Sequence, residues 1–237
     1  MLNEALAPGV LPPGLRVYAV GDVHGCADRL AALHAGIAAD AARHPAPQVA
    51  LVYLGDHIDR GPDSAGVLEL LLAPPPVAGA RVVNLTGNHE TMLLDAAEPE
   101  AHPGALPYWL GNGGAATLAS YGANPADPTW PRRLPAAHLA LLRRGRLLWA
   151  AGGYLFVHAG LRPGLPLAEQ DPFDLLWIRE PFLSWPGELP AVVVHGHSPT
   201  PQPVVRENRI GIDTGACFGG ALTCVVLEGH RMRFLEA

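Results

Sequence analysis

The chain of 237 residues contains no lysine; all sixteen of its basic residues are arginine. Charged residues of both signs reach only 16%, well under the usual quarter, which excludes a disordered or solvating chain. The formal net charge is −6 and no basic run is present, so nothing here would track a nucleic-acid backbone, and a nucleic-acid partner is not expected. Cysteine is scarce: Cys26, Cys217 and Cys224 form neither a CxxC pair nor an even-numbered framework. That excludes a disulfide scaffold and fits a reducing compartment. No apolar run reaches the length of a membrane span, and Met1–Gly14 lacks the basic stretch and apolar core of a secretory signal. Neither an internal repeat nor a low-complexity segment occurs. A soluble, cytoplasmic protein without a membrane partner is the expectation.

What is plentiful is apolar residues, at 49%, together with 27 glycines and 25 prolines. This composition can fill one sizeable core and punctuate it with many turns, so one domain over residues 1–237 is expected. Apolar, strand-like runs end repeatedly in polar loops. Leu15–Val20 leads into Gly21-Asp22-Val23-His24-Gly25, Val49–Leu54 into Gly55-Asp56, and Arg81–Leu85 into Gly87-Asn88-His89-Glu90. Further on, Tyr154–Val157 leads into His158-Ala159-Gly160, and Ala191–Val194 into His195-Gly196-His197. The periodicity predicts helices over Ala27–Arg43 and Asp63–Leu72, the second opening on Pro62 and Asp63 as helix starts do. Short apolar runs alternating with helices indicate an α/β fold. Leu106–Tyr121 and Pro135–Arg144 read as helices of an insertion around 99–146 that lies over the site. The last third returns to strands at Leu147–Ala150, Arg209–Ile212, Ala221–Leu227 and Met232–Leu235.

Loops that follow strands of one sheet open on one edge, so their polar residues gather there. Five of these loops supply hard-oxygen or imidazole ligands: Asp22 and His24, Asp56, Asn88, His158, and His197. Carboxylates, imidazoles and one amide oxygen suit Mn, Fe, Zn or a similar divalent ion and exclude a thiolate site. Six ligands exceed one tetrahedral zinc and suit two ions bridged by a shared carboxylate and a hydroxide.

The same motifs, with Gly55-Asp56-His57-Ile58-Asp59-Arg60-Gly61 as the second, resemble the three signatures of the calcineurin-like phosphoprotein phosphatases. His158-Ala159-Gly160 and Gly196-His197-Ser198-Pro199 resemble the later metal-histidine motifs of their bacterial branch, and the likeness runs from about Val17 to the C-terminus. It implies two mixed β-sheets in a sandwich flanked by helices. It also implies Asp22, His24 and Asp56 on one ion and Asp56, Asn88, His158 and His197 on the other, with Mn the first choice and Fe, Zn or Mg alternatives. His89 would be the general acid, held by Asp59. Arg60 and Arg179 would clamp the phosphoryl oxygens along with Asn88 and His89, and Arg162 could extend the clamp or form a surface salt bridge.

The activity implied is metal-dependent hydrolysis of phosphate monoesters, foremost phosphoserine and phosphothreonine in proteins, with a phosphoprotein or small phosphorylated molecule as partner. The alternative is diadenosine tetraphosphate hydrolysis, because Asp213–Cys224 resembles the tail of the symmetrical tetraphosphatases; those enzymes usually lack an acidic residue at the position of Asp59 and carry Asp where Glu90 stands. Of the remaining residues, His57 reads as a surface or pocket residue and His195 as a packing residue. Cys217 and Cys224 read as core thiols, and Trp109, Tyr108 and Trp130 as aromatic packing or the wall of a substrate groove.

Overall fold

The computed structural model describes residues 5–98, 100 and 102–237. Residues 1–4 of the N-terminal stretch, and Pro99 and Ala101 at the start of the segment read as an insertion, lie outside that description. In chain order the elements are β1 (Ala5–Leu6), β2 (Leu15–Val20), α1 (Ala27–Arg43), β3 (Gln48–Tyr53), α2 (Ser64–Leu72), β4 (Arg81–Asn84) and α3 (Asn88–Ala96). They continue as α4 (Ala105–Trp109), α5 (Ala115–Ser120), α6 (Ala136–Arg143), β5 (Leu148–Ala151), β6 (Tyr154–Val157) and α7 (Pro172–Trp177). The chain closes with β7 (Val192–His195), β8 (Val204–Val205), β9 (Arg209–Gly211), β10 (Thr223–Glu228) and β11 (Arg231–Glu236).

The strands form two mixed sheets, ordered β1-β11-β10-β2-β3-β4 and β5-β6-β7-β9-β8. Each contains three parallel strands: β2, β3 and β4 at one end of the first, β6, β7 and β9 at the centre of the second. Alternation along β2 explains the layering. Val17 and Ala19 pack with Phe156, Val194 and Ile210 between the sheets, whereas Tyr18 and Val20 pack with Leu30, Leu33 and Ile37 of α1. The far face of the second sheet, with Leu155, Val157 and Val193, is covered by Leu175, Ile178 and Phe182. The inner strands β2, β6, β7 and β10 are therefore buried on both faces and read as continuous apolar runs rather than alternating ones.

Local signals account for the helices the sequence predicts. Leu30, Leu33, Ile37 and Asp40 are the buried stripe of α1, at helical spacing. Asp63 caps α2, its carboxylate accepting the Gly66 N–H at 2.7 Å. The expected helix over Leu106–Tyr121 is broken: α4 and α5 are joined by a wide turn at Leu110–Gly114, where Gly113 has φ 107°. Among the described residues no helix is long and apolar enough to cross a membrane.

Candidate metal centre

The loops after the central strands of both sheets meet. The His158 Nδ1–H, after β6, donates to the Leu54 carbonyl after β3 at 2.9 Å, and the His197 N–H, after β7, donates to Asp22 Oδ2 after β2 at 3.0 Å. Among the described residues the non-glycine positions with positive φ are His24, Asp56, Asp59, Arg60 and His197. Every one belongs to these loops. Left-handed backbone in ordinary residues is costly and persists only where the surroundings over-determine it, which marks functional sites. Two loops also interlock through glycine: Gly61 N–H donates to the His24 carbonyl at 3.0 Å, and a Cβ on Gly25 or Gly61 would press on the other loop's backbone.

Glu90 fixes this backbone from beneath. Its buried carboxylate accepts N–H groups of Asp56 (2.7 Å), His57 (2.8 Å) and Gly87 (2.8 Å). An uncharged amide would turn a donor toward one of these N–H groups. Glu90→Gln should cost about 2 kcal/mol, the scale of a charged hydrogen bond, and lower the melting midpoint by about 4–8 °C for a chain of this size. An unchanged midpoint in thermal melts would rule out the clamp.

Potential ligand atoms gather in two groups that share Asp56: His24, Asp56 and His89, and Asp56, His158 and His197. The two carboxylate oxygens face different groups. Oδ2 lies 3.4 Å from His24 Nε2, and Oδ1 lies 3.5 Å from His158 Nε2. Because the Nδ1–H groups of His24 and His158 donate to the Ile58 and Leu54 carbonyls, their Nε2 atoms carry lone pairs when neutral. Burial, only partly countered by Asp56, pushes His24 down to about 3; burial with His158 beside it does the same to His197. Asn88 Oδ1 then sits 3.0 Å from both His158 Nε2 and His197 Nδ1. On the Asn88–His158–His197 side, lone pairs converge with no donor between them, as a cation needs. Asp22 joins neither group by distance, yet its Oδ1 is buried without a partner, and burial together with Asp213 and Asp56 drives its carboxyl well above the usual range. A nearby cation would remove both penalties, so these donors fit divalent ions.

His89 stands apart chemically. Its Nδ1 lies 2.7 Å from Asp59 Oδ2 and its Nε2 3.9 Å from Asp56 Oδ2. Burial alone would depress its pKa, but Asp56 and Asp59 outweigh burial and raise it. A protonated ring is a donor, not a ligand. Asp59 in turn is held by the helical segment: Thr117 Oγ1–H donates to its Oδ1 at 2.6 Å and Trp109 Nε1–H to its Oδ2 at 2.8 Å.

The arginines are placed differently. Arg60 reaches the cluster, its Nη1 donating to His24 Nε2 at 2.7 Å, with its guanidinium 5.5 Å from the exposed Phe218 ring. Arg179 is exposed and close enough to His197 to depress its pKa further. Arg162 is turned away into a two-pronged pair with Asp174 at 2.6 and 2.7 Å, the salt-bridge alternative weighed for it. His57 is a correction: its ring is buried edge-on to Tyr53 at 6.2 Å, and among the described residues neither nitrogen has a hydrogen-bond partner. His195 packs edge-on against Phe182 at 5.0 Å; the positive φ of His197 breaks the alternation that would have paired the two rings on one face. Trp109 and Trp130 are buried and stacked at 5.3 Å, whereas Tyr108 is exposed and lines a 300 Å³ groove with Phe173 and Trp177. Cys224 is a core thiol and Cys217 is half-buried.

Sequence reasoning read Trp109 as packing or a groove wall and assigned no role in the site to Thr117 or Asp213. The first two meet Asp59 across 50 and 58 residues of chain, and no local pattern announces such a contact. Asp213 is buried beside Asp22.

The family model described as calcineurin-like phosphoesterase matches residues 15–231. The chain is 33% identical over 228 residues to serine/threonine-protein phosphatase 1 of Salmonella typhimurium, covering 90% of this chain and 92% of that protein. It is 32% identical over 179 residues to a symmetrical bis(5'-nucleosyl)-tetraphosphatase of Acidovorax sp., covering 76% of this chain and 52% of that protein. Among solved structures, the cold-active protein-tyrosine phosphatase of a psychrophilic Shewanella has a similar fold, with TM-score 0.60, 17% identity and coverage of 96% of this chain and 83% of that one.

Proposed function

The chain belongs to the calcineurin-like phosphoesterases, and from that premise we propose that its substrates are phosphate monoesters, foremost phosphoserine and phosphothreonine in proteins, hydrolysed at a site for two divalent ions. It is a metal-dependent phosphatase; the substrate class and the pairing of the ions are the finer part of the reading. The observation that carries the two-ion reading is Asp56, whose two oxygens face two different sets of ligand atoms.

Asp22, His24 and Asp56 would hold one ion; Asp56, Asn88, His158 and His197 the other. Mn suits this mixture of imidazole, amide and carboxylate, with Fe, Zn and Mg as alternatives. When bound, the pair would neutralise phosphoryl charge and lower the pKa of water enough to supply a nucleophile near neutrality. The rest falls to the chain itself. Arg60 and Arg179 offer planar forks to the non-bridging phosphoryl oxygens. His89, with Nδ1 anchored on Asp59, presents its Nε2 proton to the departing ester oxygen.

The similarity to the tetraphosphatase favours a second reading, hydrolysis of dinucleoside polyphosphates, and one comparison tests both. Chelation should abolish turnover, and Mn²⁺ should restore it at least as well as Mg²⁺. With metal restored, kcat/KM for phosphopeptides or p-nitrophenyl phosphate should exceed that for diadenosine tetraphosphate. A preference of about tenfold for the dinucleotide, ~1.4 kcal/mol in transition-state binding, would replace the first reading by the second. Full activity with fewer than one metal ion bound per chain would remove the two-ion site.

A further inference from the structure

A cavity of 270 Å³ adjoins the His197 loop, lined by Arg179, Leu183, His195, Ser198, Thr200 and Arg209 among others. The positive charge there meets no anion, although the Arg209 guanidinium lies 6.0 Å from the centroid of the Phe182 ring. No carboxylate lines the cavity, and among the described residues neither Arg179 nor Arg209 has an ion-pair partner within 4.0 Å. Arg209 is only 7% exposed. Its Nη2 donates to the Leu183 carbonyl at 2.9 Å and its Nη1 to His195 Nε2 at 3.3 Å, which leaves part of its five-donor fork unused. The His195 tautomer is set by Nδ1–H donating to the Gly196 carbonyl at 3.0 Å, so a neutral ring orients the arginine without discharging it. Gly211 leaves the space open, since a Cβ there would press on the His195 ring at 3.1 Å. Ser198 Oγ adds a buried hydroxyl with no partner.

A buried guanidinium is normally paired, because isolating one from water is expensive. Glu180 acts on Arg209 from a distance, but less strongly than burial and Arg206 oppose the charge, and its own carboxylate is engaged by Ser184. In a chain of net charge −6, two unpaired arginines facing one cavity are an arrangement built for an incoming anion.

We propose that this cavity is a second anion subsite, which binds a further oxyanion of the substrate whose scissile phosphate sits on the metal cluster. Arg179 is the link, since it lines the cavity and lies two residues after Trp177, whose ring meets the His197 ring edge-on at 6.1 Å. The chemistry is a phosphate or carboxylate met by a guanidinium fork and a hydroxyl. It rests on the phosphatase reading and narrows it: the preferred substrate carries two anionic groups, not one.

The test uses the full chain loaded with Mn²⁺. Calorimetric titration should give a tighter Kd for methylenediphosphonate or triphosphate than for inorganic phosphate. Arg209→Met should shrink that advantage about tenfold, the worth of a charge-assisted contact. Because Arg209 is buried, Val204→Glu serves as the second variant. It places a carboxylate at the half-buried rim of the same cavity without opening the core, and the same shrinkage is expected. If a folded variant leaves the ratio unchanged, or weakens phosphate and the longer anions by one common factor, the subsite does not exist. Phosphopeptides with and without an acidic neighbour, run beside diadenosine tetraphosphate, identify the source of the second anion by which discrimination Val204→Glu removes; loss of neither also overturns the proposal. Turnover of p-nitrophenyl phosphate reports separately on the phosphatase reading, which can fail while the anion titrations still decide the subsite.

Discussion

Asp56→Asn should lower kcat/KM by at least about 10³-fold, ~4 kcal/mol in barrier height, and should strip metal from both positions rather than one. The substitution preserves shape and removes one charge. Burial favours the neutral carboxyl at Asp56, but His158, His89, His24 and His197 outweigh it and hold the group ionised, well below the usual carboxylate range. Asparagine cannot supply that charge, and one amide oxygen cannot face both His24 and His158 as the two carboxylate oxygens do. Asn88→Ala makes the contrast, because Asn88 Oδ1 serves only the His158–His197 side. Elemental analysis after gel filtration should find the two variants unequal, with Asp56→Asn losing more. Asp56→Asn retaining two ions, or activity within about tenfold of the parent, would show that Asp56 is not shared.

How much of this was legible without coordinates depends on distance along the chain. The strand β2 and the helix α1 fall at Leu15–Val20 and Ala27–Arg43, where the pattern puts them, because their signals are local: an apolar run and a stripe of 3.6-residue period. The α3 helix was missed, since its first residues are the polar motif Asn88-His89-Glu90 and its apolar face starts only at Met92. A local signal was available in Glu90, three residues past Gly87, whose carboxylate accepts the Gly87 N–H at 2.8 Å, the half of a capping box that needs no N-cap side chain. The α7 helix was missed too, although Asp171 caps it by accepting the Phe173 N–H at 2.8 Å and Pro172 opens it. The two-residue strands β1 and β8 carry no pattern of their own and exist through pairing with β11 and β9. In the site the same division holds. The motifs named, one loop at a time, residues that the fold gathers around Asp56, whereas the burial of His57, the capture of Arg162 by Asp174 and the support of Asp59 by Trp109 are tertiary facts.

That support shapes the second large effect. His89→Asn should lower kcat by about 10²–10⁴-fold on esters with poor leaving groups, the usual worth of a positioned general acid, and by much less on p-nitrophenyl phosphate, whose leaving group needs little protonation. The motivation is the ring's position between Asp59 at 2.7 Å and Asp56 at 3.9 Å, which favours the protonated form. Asparagine keeps a hydrogen-bonding side chain there but has no proton to give. Asp59→Asn should show the same leaving-group dependence in weaker form, because it removes the partner that orients the acid while leaving the acid in place. Trp109 and Thr117 would still fix the side chain at that position, since both donate to it now; one of the two would then meet an amide N–H₂ in place of an oxygen. Trp109→Phe keeps an aromatic ring to pack on Trp130 but removes the indole donor together with part of the buried ring, so it should reproduce a fraction of the Asp59→Asn pattern. The measurement is kcat across a series of aryl and alkyl phosphates for all four proteins. A steeper dependence on leaving-group pKa in the order parent, Trp109→Phe, Asp59→Asn, His89→Asn would trace the chain of hydrogen bonds from the helical segment to the departing oxygen. Equal losses on every ester would instead make His89 a phosphate-binding group, and a loss in Trp109→Phe without any change of slope would make its contact with Asp59 purely structural.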